Sequence, residues 1–279
     1  MSRVIDEAVC PVCFHHCTLK EGQVGICRAR KNIEGRIMDI NYGVLTALAL
    51  DPIEKKPLRM FCPGARILSV GSFGCNLSCP FCQNASISQA DEKTVDTEFV
   101  SPEKLVRIAL SLKKRGNVGI AFTYNEPMVG WEYVRDAARL ARSEGLKTVL
   151  VTNGTAEIPI LEQVLRYIDA MNVDLKAFTE DYYKMCGGSL EETKDFIERS
   201  AQKCHVEVTT LIVPGYNDSD EEMDHLSDWL SWISYGLPLH VTRYYPRYRF
   251  DAPATPVETI YHLAEVARKN LRNVFVGNC

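Results

Sequence analysis

The chain has 279 residues, of which 46% are hydrophobic and 24% are charged, and its net charge at pH 7 is −4. This composition supplies a large core and excludes an intrinsically disordered chain. The charges are spread along the sequence, so neither a nucleic acid nor a membrane is expected as a partner. The longest apolar stretch, residues 44–50, is too short to span a bilayer, and the start of the chain lacks the pattern of a secretory signal, so we expect a cytoplasmic protein.

The first 64 residues contain four closely spaced cysteines, Cys10, Cys13, Cys17 and Cys27, and show little helical or strand periodicity. In a chain without a secretory signal, such a cluster indicates metal or iron–sulfur ligation and not disulfides. Four soft ligands close a tetrahedral zinc site, and the same four can hold a second [4Fe–4S] cluster. We therefore predict a small metal-binding module at residues 1–64 and leave its metal open.

From residue 65 onward, apolar strand-like segments alternate with amphipathic helical segments. Helices are expected after Ser101, which precedes a proline, and after Ser219, which forms a capping box with Glu222. This order predicts an α/β fold with parallel strands and right-handed crossovers, closed or partly closed into a barrel over residues 65–279. The predicted strands are 67–72, 118–123, 146–151, 171–175, 206–212, 237–242 and 274–276, and further helices are predicted at 129–143, 158–168, 190–202 and after Thr255.

A CxxxCxxC loop, formed by Cys75, Cys79 and Cys82, directly follows the first predicted strand. Three thiolates can hold three corners of a [4Fe–4S] cluster and leave the fourth iron open to a small molecule. A structural zinc ion is the alternative, but it requires four ligands and this loop offers three. The C-terminal ends of barrel strands usually carry functional groups, so the loop stands where a site is expected.

The spacing and position of this loop resemble the radical S-adenosylmethionine (SAM) superfamily. The stretches TYNEP, VTNG, NVDLKAF, MCGG and VPGYND resemble its pyruvate formate-lyase-activating-enzyme-like branch. The leading CPVC and GICRAR segments and DPIEKKPL are more similar still to the AmmeMemoRadiSam-system radical SAM enzymes. The resemblance covers nearly the whole chain and implies a partial (β/α)6 TIM-type barrel.

The resemblance implies that Cys75, Cys79 and Cys82 bind a [4Fe–4S] cluster whose open iron is chelated by SAM. One electron from a ferredoxin- or flavodoxin-type donor would then split SAM into methionine and a 5′-deoxyadenosyl radical. The radical would abstract hydrogen from a protein, peptide or small-molecule substrate. Two alternatives stay open, an activase that installs a glycyl radical on a partner enzyme and a non-catalytic iron–sulfur electron-transfer protein.

By the same resemblance, SAM contacts are expected along the strand ends. Glu126 would pair with the SAM ammonium, although a solvated carboxylate in an ordinary turn is the alternative. Val213 would form part of the wall against the adenine, and Tyr245 stands where a histidine is expected in close relatives. The full set of expected SAM contacts is Phe81, Asn125, Glu126, Thr152, Asn153, Asp174, Lys176, Val213 and Tyr245.

Asp174 and Lys176 end the fourth strand on the same side. By resemblance to the formate-lyase activases, Asp174 with Thr152 could hold a monovalent cation, or Lys176 could touch the SAM carboxylate. The activases have an acidic residue where Val151 stands, which weighs against the cation. A structural salt bridge between Asp174 and Lys176 is the alternative.

Four cysteines lie outside the two clusters. Cys186 is placed on a loop near the mouth of the barrel, either as a substrate or radical contact or as a buried free thiol. Cys62 and Cys204 are expected to be structural. Cys279 is expected to be an exposed thiol.

Overall fold

The computed structural model describes residues 7–279. Residues 1–6, which begin the predicted metal-binding module and the stretch compared with a secretory signal, lie outside the described residues. The strands are β1 Glu7–Val9, β2 Thr18–Lys20, β3 Arg30–Ile33, β4 Arg36–Asp39, β5 Val44–Leu45, β6 Ala47–Pro52, β7 Arg66–Gly71, β8 Glu98–Phe99, β9 Asn117–Phe122, β10 Lys147–Thr152, β11 Ala170–Asp174, β12 His205–Ile212, β13 Leu239–Arg243 and β14 Val274–Gly277. The α-helices are α1 Ala85–Ser88, α2 Pro102–Ser111, α3 Trp131–Ser143, α4 Ile158–Leu165, α5 Glu180–Cys186, α6 Leu190–Ala201, α7 Asp220–Ile233 and α8 Val257–Ala267.

The central sheet has the order β14-β13-β12-β11-β10-β9-β7-β6. The strands from β7 to β14 in this sheet pair in parallel, while β6 pairs antiparallel to β7. The sheet therefore has two edges, β14 and β6, and forms a partial barrel. The predicted α/β class and the alternation of strands and helices are confirmed.

The helices begin where their capping residues predict. The Ser101 side chain accepts a hydrogen bond from Lys104 N at the start of α2, and Ser219 accepts one from Glu222 N at the start of α7. The predicted helix at 129–143 begins later, at Trp131, because Pro127–Gly130 forms a 3-10 turn. One face of the sheet packs its apolar side chains against these helices to form the main core.

The opposite face of the sheet encloses a second apolar layer. Ile67, Ala121 and Val149 project into it from neighbouring strands, and Ile53 and Leu58 pack against them. The last two belong to the segment 53–65, which connects β6 to β7 and fills one end of the partial barrel.

Buried polar groups hold the 53–65 segment in place. Glu207 on β12 accepts hydrogen bonds from the backbone N of Arg59 at 2.9 Å and of Met60 at 2.8 Å. Asn172 on β11 donates to the Pro57 carbonyl at 2.8 Å. The segment is therefore tied to two strands on the inner side of the sheet.

The N-terminal part contains structure that its sequence did not indicate. Two short hairpins, β1–β2 and β3–β4, precede the central sheet, and β6 joins that sheet although it lies within residues 1–64. Arg30 connects this part to α3, since its buried guanidinium donates to Val129 O at 2.6 Å and to Glu132 Oε1 at 2.7 Å. The division at residue 64 stays a prediction, and the pairing of β6 with β7 spans it.

One cysteine prediction needs correction. Cys186, expected on a loop, is the last residue of helix α5 and is completely buried.

Within the described residues, no helix is both long and apolar enough to cross a membrane.

Candidate active site

The CxxxCxxC loop follows β7 and turns sharply at Gly74, whose φ is +91°. A Cβ at this position would lie 2.5 Å from the Cys27 carbonyl oxygen of the N-terminal part. Glycine is therefore required both for the backbone conformation and for the close approach of the two segments.

The three cysteines of this loop line one cavity of about 510 Å³. The cavity is also lined by polar residues from neighbouring parallel strands and the loops that follow them, as the fold predicts. The sequence-predicted residues that it brings together are Cys75, Cys79, Phe81, Cys82, Asn125, Glu126, Thr152, Asn153, Asp174 and Lys176.

Two of the expected SAM contacts do not line this cavity. Val213 is completely buried in the apolar cluster that also contains Leu77 and Phe81. Tyr245 is 41% exposed, and its hydroxyl donates to Asn278 O at 3.1 Å while accepting from Arg243.

Glu126 is buried at the end of β9 and is held by three donors. Its Oε1 accepts from the Thr152 hydroxyl at 2.7 Å and from Met128 N at 3.0 Å, and its Oε2 accepts from Asn153 N at 2.7 Å. Burial raises the pKa of Glu126 to about 7, against the lowering effect of these hydrogen bonds. The alternative of a solvated carboxylate is wrong, because only 3% of the residue is exposed.

The Asn125 side chain stabilises the conformation of the cluster loop through hydrogen bonds. Its Oδ1 accepts from Ser72 N at 2.9 Å, and its Nδ2 donates to Gly74 O at 3.1 Å and Phe73 O at 3.2 Å. The side-chain amide thereby joins the end of β9 to the loop that follows β7.

Asp174 and Lys176 form an ion pair of 3.0 Å at the end of β11. Thr152, the other residue of the expected cation site, has its hydroxyl engaged with Glu126 and with Gly154 N. The structural salt bridge between Asp174 and Lys176 is therefore present, and the cation site stays a prediction.

The far side of the cavity is formed by residues to which the sequence analysis assigned no role. Asp51, Lys55, Lys56 and Pro57, from DPIEKKPL, line it together with Tyr124. Lys56 is 3% exposed, lies 3.0 Å from Asp51 and sits 4.4 Å from the centre of the Tyr124 ring. The resemblance of DPIEKKPL to known enzymes is a signal that the segment has a function. No local sequence pattern predicts that it lies inside the barrel.

The leading cysteine module adjoins the cluster loop at Gly74, which the Cys27 carbonyl oxygen approaches closely. Cys13 pairs with Ala156 through a β-bridge. Cys10, Cys13 and Cys27 are buried, and Cys17 is half-buried. No three His, Cys, Asp or Glu side chains in residues 7–279 are arranged to hold one metal ion, so the metal of this module stays a prediction.

The chemistry of the cavity fits a cluster and SAM. Three thiols on one loop supply the ligands of a cluster with an open iron. A buried carboxylate and an ammonium group, from Glu126 and Lys176, stand at the same cavity and are complementary to the amino and carboxylate groups of a zwitterionic ligand.

Comparison with protein families gives a match to the radical SAM superfamily over residues 69–230. The chain is 36% identical to the uncharacterized protein MJ0808 of Methanocaldococcus jannaschii over 273 residues, which cover 96% of this chain and 80% of that protein. It is 27% identical to the pyruvate formate-lyase 1-activating enzyme of Escherichia coli K12, over 60% of this chain and 69% of that enzyme.

Solved structures share the fold. SuiB of Streptococcus suis, in a crystal structure bound to S-adenosylmethionine, has a TM-score of 0.60 and 16% identity over 76% of this chain. This chain spans about half of the SuiB chain, 52%. A radical SAM methyltransferase of Sphaerobacter thermophilus has a TM-score of 0.58 and 19% identity, over 78% of this chain and 67% of that one.

Proposed function

Because the chain belongs to the radical SAM superfamily and to its pyruvate formate-lyase-activating-enzyme-like branch, we propose that it cleaves SAM reductively and removes hydrogen from a substrate. The observation that carries this proposal is the convergence of Cys75, Cys79 and Cys82 with Glu126 and Lys176 on one cavity. When bound, the [4Fe–4S] cluster and SAM supply the electron and the sulfonium from which a 5′-deoxyadenosyl radical arises.

The chain's own residues would bind and orient SAM. Glu126 would accept hydrogen bonds from the SAM ammonium, since it is buried and carries a negative charge when ionised. Lys176 would face the SAM carboxylate from the end of β11. Burial of the surrounding strand ends would exclude water from the radical.

The substrate would occupy the part of the cavity between the cluster loop and Asp51 and Lys56. These two residues line the same cavity as the cysteines, so a hydrogen-bearing group there would lie inside the partial barrel. We propose a protein, peptide or small-molecule substrate, with the electron delivered by a ferredoxin- or flavodoxin-type donor. The leading cysteine module and DPIEKKPL favour a protein-modifying enzyme of the AmmeMemoRadiSam type.

An activase that installs a glycyl radical on a partner enzyme is the second candidate. The observation that favours it is the 27% identity to a pyruvate formate-lyase-activating enzyme. The four leading cysteines weigh against a plain activase of this kind. Incubation with a partner would separate the two, because an activase leaves a stable glycyl radical signal and a peptide-modifying enzyme leaves a mass change.

The direct test is anaerobic reconstitution with iron and sulfide, followed by SAM and a strong one-electron reductant. We expect 5′-deoxyadenosine from the wild type and from Cys204→Ala, whose thiol lies outside the cavity, and none from Cys79→Ala. A reducible, fully loaded wild type that forms no deoxyadenosine with any candidate substrate would instead support an electron-transfer protein.

Metal analysis of the same samples tests the leading module. About four irons and one zinc per chain would assign zinc to Cys10, Cys13, Cys17 and Cys27, whereas about eight irons would assign a second cluster. The variant Cys13→Ala should lose only that second metal.

A further inference from the structure

Each of the three sulfurs on the cluster loop has its own polar side chain as a neighbour. We propose that Ser88, Cys186 and Asn153 donate one hydrogen bond each to the sulfurs of Cys82, Cys79 and Cys75, and thereby set the reduction potential of the cluster. This inference rests on the proposed function, since it assumes that these three cysteines hold the cluster.

Ser88 is the donor to Cys82. Its Oγ lies 3.2 Å from the Cys82 sulfur, and only 2% of the residue is exposed. Ser88 ends helix α1, where its backbone N donates to Asn84 O at 2.9 Å, so its position is fixed within the cluster loop. A ligating cysteine is a thiolate and carries no proton, so the hydroxyl must donate.

Cys186 is the donor to Cys79. Both residues pack in the same buried cluster, and Cys186 is completely buried. The Cys186 carbonyl also accepts from Ser78 N at 2.8 Å, which ties the end of helix α5 to the residue before Cys79. With Cys79 ligated as a thiolate, the proton of this pair belongs to Cys186.

Asn153 is the donor to Cys75. Its Nδ2 lies 3.7 Å from the Cys75 sulfur and donates its other hydrogen to Asn76 Oδ1 at 2.9 Å. Its Oδ1 accepts from the Thr155 hydroxyl and from Thr155 N at 3.1 Å, so the orientation of the amide is determined by its partners. Leu77 N is a second donor to the same sulfur, at 3.3 Å.

The effect on the potential follows from charge. Reduction adds one negative charge to a group whose ligand sulfurs are already anionic, and hydrogen bonds to those sulfurs stabilise the added charge. In a buried site this stabilisation is weakly screened by water. Loss of a donor should therefore make the cluster harder to reduce and shift its potential to a more negative value.

The test is a redox titration of the reconstituted full-length protein, followed by electron paramagnetic resonance. We expect Ser88→Ala and Cys186→Ala each to shift the midpoint potential to a more negative value. Cys186→Ser, which restores an O–H donor, should recover part of the shift seen in Cys186→Ala. Cys204→Ala is the matched control, because it removes a thiol that does not line the cavity.

Iron content and deoxyadenosine formation, measured on the same samples, separate the possible outcomes. Unchanged potentials in fully loaded Ser88→Ala and Cys186→Ala would overturn the inference, as would a Cys186→Ser potential equal to that of Cys186→Ala. If these two variants failed to load iron, the Fe–S(Cys) stretching frequencies of Cys186→Ser and the wild type would test the inference instead. Equal frequencies in the two proteins would show that no donor acts on Cys79 and would overturn the inference. Shifted potentials in a protein that never forms deoxyadenosine would uphold the inference and remove the proposed function.

Discussion

Asp51 and Tyr124 are joined by a hydrogen bond of 2.6 Å from the tyrosine hydroxyl to the carboxylate. This contact connects the antiparallel edge strand β6 to the strand-end motif that carries Glu126. Lys56 completes the group, with its ammonium 3.0 Å from Asp51. A hydrogen-bonded ion pair therefore forms one wall of the cavity.

Asp51→Asn should destabilise the fold by about 3 kcal/mol, because it leaves the buried Lys56 ammonium without its anion. Tyr124→Phe should cost about 2 kcal/mol, the usual contribution of a hydrogen bond to a charged group. Urea unfolding measures both. Lys55→Ala is the control, since its side chain is 67% exposed and its loss should cost less than about 1 kcal/mol. Equal effects of Asp51→Asn and Lys55→Ala would contradict this prediction.

Gly74→Ala should prevent correct closure of the cluster loop. The new Cβ would meet the Cys27 carbonyl at 2.5 Å and would also impose a φ of +91° on alanine. We expect iron loading to fall severalfold and the melting temperature to drop. Gly64→Ala provides the matched control, because its φ is +78° and nothing lies within 4 Å of the added Cβ. If both variants loaded iron like the wild type, the close approach at Gly74 would have no role in forming the loop.

Glu126→Gln should weaken SAM binding by about tenfold or more, the loss expected for one charge-assisted hydrogen bond. Glutamine has nearly the same shape and keeps one acceptor oxygen for Thr152 and Met128, but its NH2 group would face Asn153 N. Thermal unfolding and iron loading are therefore measured on the same variant to separate lost stability from lost SAM binding. Anaerobic calorimetric titration with SAM measures the affinity. Glu157→Gln, which changes a carboxylate outside the cavity, should bind SAM as tightly as the wild type. Normal affinity in Glu126→Gln would remove Glu126 from the proposed SAM site.

Glu207 should make the free energy of unfolding depend on pH in the acidic range. Burial raises the pKa of this carboxyl, but hydrogen bonds from His205, His240 and two backbone amides outweigh it and leave the pKa at about 2. The carboxylate thus ionises more readily in the folded chain than in the unfolded one. Its stabilising effect is complete above the unfolded value of about 4.3 and is lost as the pH falls toward 2. The loss corresponds to about 3 kcal/mol.

The measurement is urea unfolding of wild type and Glu207→Gln between pH 7 and pH 2.5. The difference between the two proteins should be largest near neutral pH and should shrink as the pH falls. A difference that stays constant across this range would show that Glu207 is not the group responsible.

The sequence predicted the parallel part of the fold because its signals are local. Ser101 and Ser219 mark helix starts through their own side chains, and β10 contains the apolar run Val149, Leu150 and Val151. The strand β6 was missed because its place in the sheet depends on pairing with β7, which no local pattern specifies.

The candidate site was likewise predictable where short sequence motifs identify its residues, and not where long-range packing brings them together. Cys75, Cys79 and Cys82 are singled out by their spacing, and Glu126 by the resemblance of its motif TYNEP to the radical SAM family. Lys56 and Ser88 reach the cavity only through long-range packing and a short irregular helix, so their roles required the structure. The Tyr245 hydroxyl likewise has a partner distant in sequence, since it donates to the Asn278 carbonyl.

The buried Arg30 has a consequence for how the protein unfolds. Its guanidinium is bound to Val129 and Glu132 at the start of α3, and β6 is an integral strand of the central sheet. Separating the leading segment from the barrel would leave the buried Arg30 guanidinium without its hydrogen-bond partners. It would also expose the unpaired edge of β7. The leading segment and the barrel should therefore melt together, as one cooperative unit with a single calorimetric transition, and a chain that starts at residue 65 should not fold by itself.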